Sequence, residues 1–157
     1  MGDNANPDAS YTVPLIINGK DIVTSTTFAV VSPSSHEQIW KASSASPEDV
    51  QKAVDAAQAA FPAWSKTKAA TRRDIFLKAS EIFSARAQEL GRYMQEETGS
   101  AAAFSSGFNV PLGAEMFKDV AGRCSSVSGV IPTCSDDNTN ALVLKEPYGV
   151  VLGISPW

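Results

Sequence analysis

Val150-Val151-Leu152-Gly153-Ile154 carries no polar side chain, and it lies between Pro147 and Gly149 on one side and Ser155-Pro156 on the other. A strand with one face in water alternates apolar and polar residues. A run without alternation is the pattern of a strand covered on both faces, as in a parallel sheet. Pro147 cannot donate to a ladder and Gly149 loosens the backbone, so the element starts about there. Gly153 leaves room for a ligand or a second backbone to come close. Ser155-Pro156 turns the chain out of the sheet, and Trp157 sets a large flat surface at the strand's C-terminal end. In open α/β sheets ligands bind at that edge. No crossover helix and no second parallel strand follow it in this sequence.

The preceding residues supply short strands first and helices after. Residues 1–13 are small and polar and read as a loose tail. Pro14-Leu15-Ile16-Ile17 begins the ordered chain as a strand. Asn18-Gly19 is the dipeptide best suited to a two-residue type I′ turn, and Asp21-Ile22-Val23 returns from it. Residues 26–31 are β-branched and aromatic and end at Ser32-Pro33. Residues 38–42 form another strand, with Trp40 on the face opposite Ile39 and Lys41. Being short and consecutive, these strands are expected to pair antiparallel.

Ser46-Pro47-Glu48-Asp49 is a compact helix start: serine at the N-cap, proline at the first helical position, acids at the positive dipole end. Val50, Ala53, Val54, Ala57 and Phe61 follow at helical spacing, and Pro62 is expected to end the element. One long helix is predicted from Thr71, capped by Asp74, to the left-handed exit at Thr98-Gly99. Its stripe is Phe76, Ala79, Phe83, Ala87, Leu90 and Met94. Ser105-Ser106-Gly107 interrupts helical spacing after Ala101. Leu112, Met116, Val120, Cys124 and Val127 then form a further stripe. Residues 131–134 and 141–145, joined by the polar turn 135–140, read as a hairpin arm.

Bulk properties narrow the function classes. The chain has 157 residues, about one domain, with ordinary globular composition at 43% apolar and 19% charged. A net charge of −4 and a pI near 4.9 argue against a nucleic-acid surface, and Arg72-Arg73 forms no basic stripe. No apolar run approaches the roughly 20 residues of a membrane span. No charged-then-apolar leader opens the sequence, and Asn6 stands where a myristoylation signal requires Ser or Thr. A soluble, reducing, cytoplasmic setting is the expectation. Cys124 and Cys134 fit neither a zinc spacing nor a disulfide framework. Cys124 reads as a small core hydrophobe and Cys134 as an inert thiol without a cationic neighbour. His36 reads as an exposed loop histidine. Glu96-Glu97 and Asp136-Asp137 are adjacent pairs whose side chains diverge. No G-x-G-x-x-G is present, and the G-x-x-x-G of Gly149 and Gly153 lies inside the strand. No catalytic or metal-binding residue is assigned.

Glu146-Pro147-Tyr148-Gly149-Val150 followed by Ile154-Ser155-Pro156-Trp157 resembles the segment that enters the dinucleotide-binding domain of NAD(P)-dependent aldehyde dehydrogenases. Phe61-x-x-Trp64 and the helix residues Arg73, Leu77, Ala79, Arg86, Glu89-Leu90 and Glu97-Thr98-Gly99 resemble the same family; Ser100 departs from it, standing where a lysine is frequent. The resemblance covers residues 14–157. It implies an α/β fold, the N-terminal part of the aldehyde dehydrogenase fold: short antiparallel strands, long helices, a hairpin arm and the first strand of the dinucleotide-binding sheet. The implied divisions are a tail over 1–13, the N-terminal part of the dinucleotide-binding domain over 14–130, a hairpin of the oligomerisation arm over 131–147, and the first strand of the sheet over 148–157.

The same resemblance implies NAD or NADP as cofactor in a complete enzyme, with Ile154, Ser155, Pro156 and Trp157 lining one side of its site. It implies an aldehyde substrate, a cysteine thiohemiacetal on the way to the acid, and homo-oligomerisation through 131–147. The family's asparagine that helps bind the oxyanion comes directly after its Pro-Trp pair, and its nucleophilic cysteine and general-base glutamate lie later still. This portion alone is therefore expected to be inactive and not to hold the dinucleotide tightly. Ser106-Gly107-Phe108-Asn109-Val110 and Ala121-Gly122-Arg123 resemble the branch acting on aromatic aldehydes such as salicylaldehyde, benzaldehyde or vanillin. The alternative reading is a non-catalytic module that docks on full-length aldehyde dehydrogenase subunits.

Overall fold

A computed structural model describes residues 10–155. The strands come first and form two small sheets: β1 (Thr12–Val13), β2 (Leu15–Ile17), β3 (Lys20–Ile22), β4 (Thr27–Val31) and β5 (Gln38–Ser43). β2 and β3 close on each other antiparallel, with Ile17 opposite Lys20. Asn18 and Gly19 between them have φ of 52° and 70°. Two successive left-handed residues define the type I′ turn that Asn-Gly favours, because glycine carries no Cβ to clash and asparagine tolerates the region.

The other sheet has the order β1-β5-β4. β4 and β5 pair antiparallel from Thr27 opposite Ser43 to Val30 opposite Trp40, then slip by one residue so that Val31 faces Gln38. The slip leaves Ile39 as the extra residue of a bulge. β1 runs parallel to β5, Thr12 beside Lys41 and Val13 beside Ala42, which corrects two expectations. Thr12 and Val13 are ladder residues and not tail. Consecutive strands are not all antiparallel neighbours, because the β2–β3 hairpin satisfies itself and leaves β1 to pair four elements on. Of the rest of the expected tail, the Tyr11 carbonyl accepts from the Lys41 amide at 2.9 Å beside the ladder, and residues 1–9 lie outside the described residues.

Helix α1 (Pro47–Trp64) starts as its sequence requires. The Asp49 amide donates to Ser46 Oγ at 3.2 Å and the Ser46 amide donates to Asp49 Oδ2 at 3.2 Å, a reciprocal capping box. Pro62 does not end the helix. It sits inside the last turn, where the missing N–H costs one bond, and the Ser65 amide still donates to the Phe61 carbonyl at 2.8 Å. No residue of α1 is buried, and Val50 and Val54 are exposed.

The predicted long helix is two: α2 (Ala69–Ala85) and α3 (Ala87–Thr98). Arg86 breaks the run with φ −101° and ψ 14°, while its guanidinium holds Glu89 at 2.8 and 2.9 Å. The start is also earlier than expected. α2 begins after Lys68 with no side-chain cap, and Asp74 pairs with Arg73 instead of capping Thr71. The exit is as expected, with Gly99 at φ 69°. Ala102–Phe104 (α4) leads into a π-helical turn, Ser105–Asn109, that continues into α5 (Val110–Arg123). The turn is pinned by Ser105, which is fully buried and donates to the Ala101 carbonyl at 3.0 Å.

The core is where α2 meets α5. Phe83 and Phe117 meet edge-on at 5.6 Å and Phe76 stacks on Phe117 at 6.4 Å. Buried Ser80 donates to the Ala114 carbonyl at 2.8 Å. The covered face of α5 is Val110, Ala114 and Ala121, with Phe117 half-buried. Leu112, Met116 and Val120, the expected stripe, are exposed, Met116 by 62%. Close approach to α2 selects the small residues for the inside. Expected Cys124 is half-buried at the C-cap of α5, its thiol donating to the Val120 carbonyl at 3.4 Å. Beside this core, Trp40 of β5 is 3% exposed and meets Tyr93 of α3 edge-on at 5.9 Å.

Candidate cofactor edge

After α5 the chain makes one antiparallel bridge, Val130 with Val143, its two amide bonds 3.0 and 2.9 Å long. The expected hairpin over 131–147 is this single bridge and no longer ladder among the described residues. Prolines and a polar turn leave little to pair: Asp136 organises the turn, its Oδ1 accepting from the Asn138 amide at 3.0 Å. The bridge depends on Gly129, since a Cβ there would lie 2.3 Å from the Val143 carbonyl oxygen. Ile131, Leu142 and Leu144 are exposed around it.

Residues 148–155 carry no ladder, which corrects the expected buried strand. Gly149 does turn the chain, with φ 100°. Beyond it Leu152 is 83% and Ile154 88% exposed. Burial of a parallel strand comes from neighbours on both edges and both faces, and the described residues supply one flank. Val150, Val151 and Leu152 form one wall of a groove of about 380 Å³. The apolar stripe of α1 (Val50, Ala53, Val54, Ala57) and Leu15, Ile16 and Ile17 of β2 complete it. The stripe that α1 was predicted to bury is thus turned toward the apolar run that opened the sequence.

Of the four residues expected at a cofactor, Ile154 and Ser155 lie exposed at the end of this run. Pro156 and Trp157 lie outside the described residues. At Gly153 a Cβ would meet no heavy atom within 4 Å, so the glycine is not demanded by packing. This edge fits a dinucleotide as one wall only. It offers apolar surface to a ring and unladdered backbone groups to polar atoms. The α1 N-terminus borders the groove through Ala45 and Asp49 but is already capped by Ser46 and Asp49, and no glycine cradle for phosphate stands beside it.

The remaining polar candidates are scattered. His36 is exposed with φ 61°, its amide donating to the Ser32 carbonyl at 2.9 Å. Both cysteines are free thiols, and Cys134 is half-buried. No three of His, Cys, Asp and Glu converge as a metal site among the described residues. The carboxylates with shifted titration are structural. Asp49 is held below the usual aspartate range by the Ser46 amide and then by Lys52. Glu89 is lowered chiefly by Arg86. Sequence reasoning missed a second cavity, about 670 Å³, between α2, α3, α5 and β4, lined by Phe83, Met94, Glu97 and Asn109 among others. Its residues come from β4, α2, α3, the π-turn and α5, so no single spacing announces it. No helix among the described residues is long and apolar enough to cross a membrane.

Residues 22–157 match the family described as the aldehyde dehydrogenase family. Vanillin dehydrogenase of Pseudomonas sp. (strain HR199 / DSM 7063) is 37% identical over 149 residues, covering 94% of this chain and 31% of that protein. Salicylaldehyde dehydrogenase of Pseudomonas sp. (strain C18) is 31% identical over 132 residues, covering 83% of this chain and 27% of that one. Among solved structures, a salicylaldehyde dehydrogenase from Pseudomonas putida G7 complexed with salicylaldehyde superposes with a TM-score of 0.80 at 28% identity, over 87% of this chain and 28% of that one. PnpE in complex with nicotinamide adenine dinucleotide superposes at 0.74 with 32% identity, over 78% and 26%. The chain thus spans about a third of the length of the curated relatives it matches. Its α/β arrangement of short strands and helices matches the N-terminal part of their fold. On the match over residues 22–157, the chain belongs to the aldehyde dehydrogenase family.

Proposed function

We propose that this chain is the N-terminal part of an NAD(P)-dependent aldehyde dehydrogenase that oxidises an aromatic aldehyde to its carboxylic acid. The observation carrying the reading is the juxtaposition of α1 with 150–152, an amphipathic helix laid beside an apolar run, and it supports reading that run as the entry to a dinucleotide-binding sheet. Kinship with vanillin and salicylaldehyde dehydrogenases supports the aromatic substrate. In such a reaction the nicotinamide accepts the hydride. This chain contributes surface: Ile154 and Ser155, with Pro156 and Trp157 after them, border the cofactor, and the α1 stripe backs the run that carries them. The attacking thiolate and the base for water are assigned to polypeptide beyond Trp157. The Cys124 and Cys134 thiols donate to the Val120 and Pro132 backbone carbonyls, contacts that do not activate a thiol as a nucleophile.

Homo-oligomerisation through 131–147 belongs to the same proposal, supported by the exposed Ile131, Leu142 and Leu144 beside the bridge. So does a cytoplasmic location, in keeping with two free thiols. The test is to read the transcript past the Trp157 codon and express both lengths. The longer chain is expected to reduce NAD or NADP stoichiometrically with an aromatic aldehyde, and the 157-residue chain to do nothing. Turnover by the 157-residue chain alone would overturn the proposal.

A second reading follows from the same exposed surfaces. The uncovered groove beside α1 suits docking on an intact aldehyde dehydrogenase subunit, which the chain would modulate without catalysis of its own. Co-purification with a full-length subunit at equal stoichiometry is the expected result. Absence of a complex at micromolar concentrations would eliminate this reading.

A further inference from the structure

We draw no further inference here: the strongest candidate, the exposed apolar row of Phe104, Phe108, Leu112 and Met116 along α4, the π-turn and α5, carries nothing because nothing in the structure shows what covers it.

Discussion

At Gly91, α3 lies directly against the π-turn. A Cβ at that position would lie 2.0 Å from Ser106 Oγ and 2.9 Å from Ser106 Cβ. Neither distance is compatible with two side chains, so Gly91→Ala is expected to push the π-turn off α3. Overpacking of this kind costs about 1–3 kcal/mol, read as a lower denaturant midpoint. Adding Ser106→Gly removes the two nearest atoms but leaves the Ser106 Cα at 3.0 Å, so it should recover part of the loss; an additive double mutant would show that the contact is not the cause. Small residues do the same work elsewhere in the layer. Gly113 sits 3.0 Å from the Phe83 ring by the same measure, and buried Ser80 spends its hydroxyl on the Ala114 carbonyl. Beside Phe117, these small residues line the contact between α5 and its neighbours, while Leu112, Met116 and Val120 stay exposed.

Among the elements, α1 shows how far local chemistry reaches. Its N-terminus is held by the Ser46–Asp49 capping box. Asp49 has its pKa lowered in the folded chain by the Ser46 amide and Lys52. A depressed carboxylate stabilises above its unfolded pKa, and that contribution is lost as pH falls through the folded value. Glu89, lowered by Arg86 in α3, acts in the same direction. The acid limb of stability should therefore lie below about pH 4.5, and Ser46→Ala should flatten it while costing about 1 kcal/mol at neutral pH. Thermal melts from pH 3 to 7 (roughly the span of carboxylate titration) check both; an unchanged acid limb in the variant would remove Asp49 from the account.

Short-range signals such as this cap, the Asn18-Gly19 turn and the Gly99 exit were readable in the sequence because each is settled within a few residues. The break at Arg86, the parallel partner of β1 and the inward face of α5 were not. Each depends on what packs against the element, and stripe-reading by residue size chose Leu112 and Met116 where proximity to α2 selected Ala114 and Ala121. At the candidate site the apolar run and its proline and glycine boundaries were legible, whereas its pairing was not, since a ladder needs a second strand.

For the whole molecule, the two halves differ in how completely they bury their apolar surface. α2 and α5 pack together over half-buried Phe76, Phe83 and Phe117 and buried Ser80. The α1 stripe, the 150–154 run and the outer face of α5 remain open. Contiguous apolar surface of that extent binds hydrophobic dyes and promotes association. The isolated 157-residue chain is expected to bind anilinonaphthalene sulfonate strongly, and an extended chain carrying the rest of a dinucleotide-binding sheet to bind it weakly. Equal, weak binding by both would mean that the surfaces are covered some other way. Exposed Val151, Leu152 and Ile154, with no charge among them, also make an adhesive edge.

The packed α2–α5 pair and the bare α1 stripe carry a consequence for biosynthesis under the proposed reading. Chains leave the ribosome from the N-terminus, and completed units fold as they emerge. The helical layer needs only residues already translated by Arg123, whereas α1 must wait, greasy side outward, for strands decoded later. A chaperone that shields nascent chains would therefore meet its client here at Val50, Val54 and Ala57, and release it once the later strands arrive.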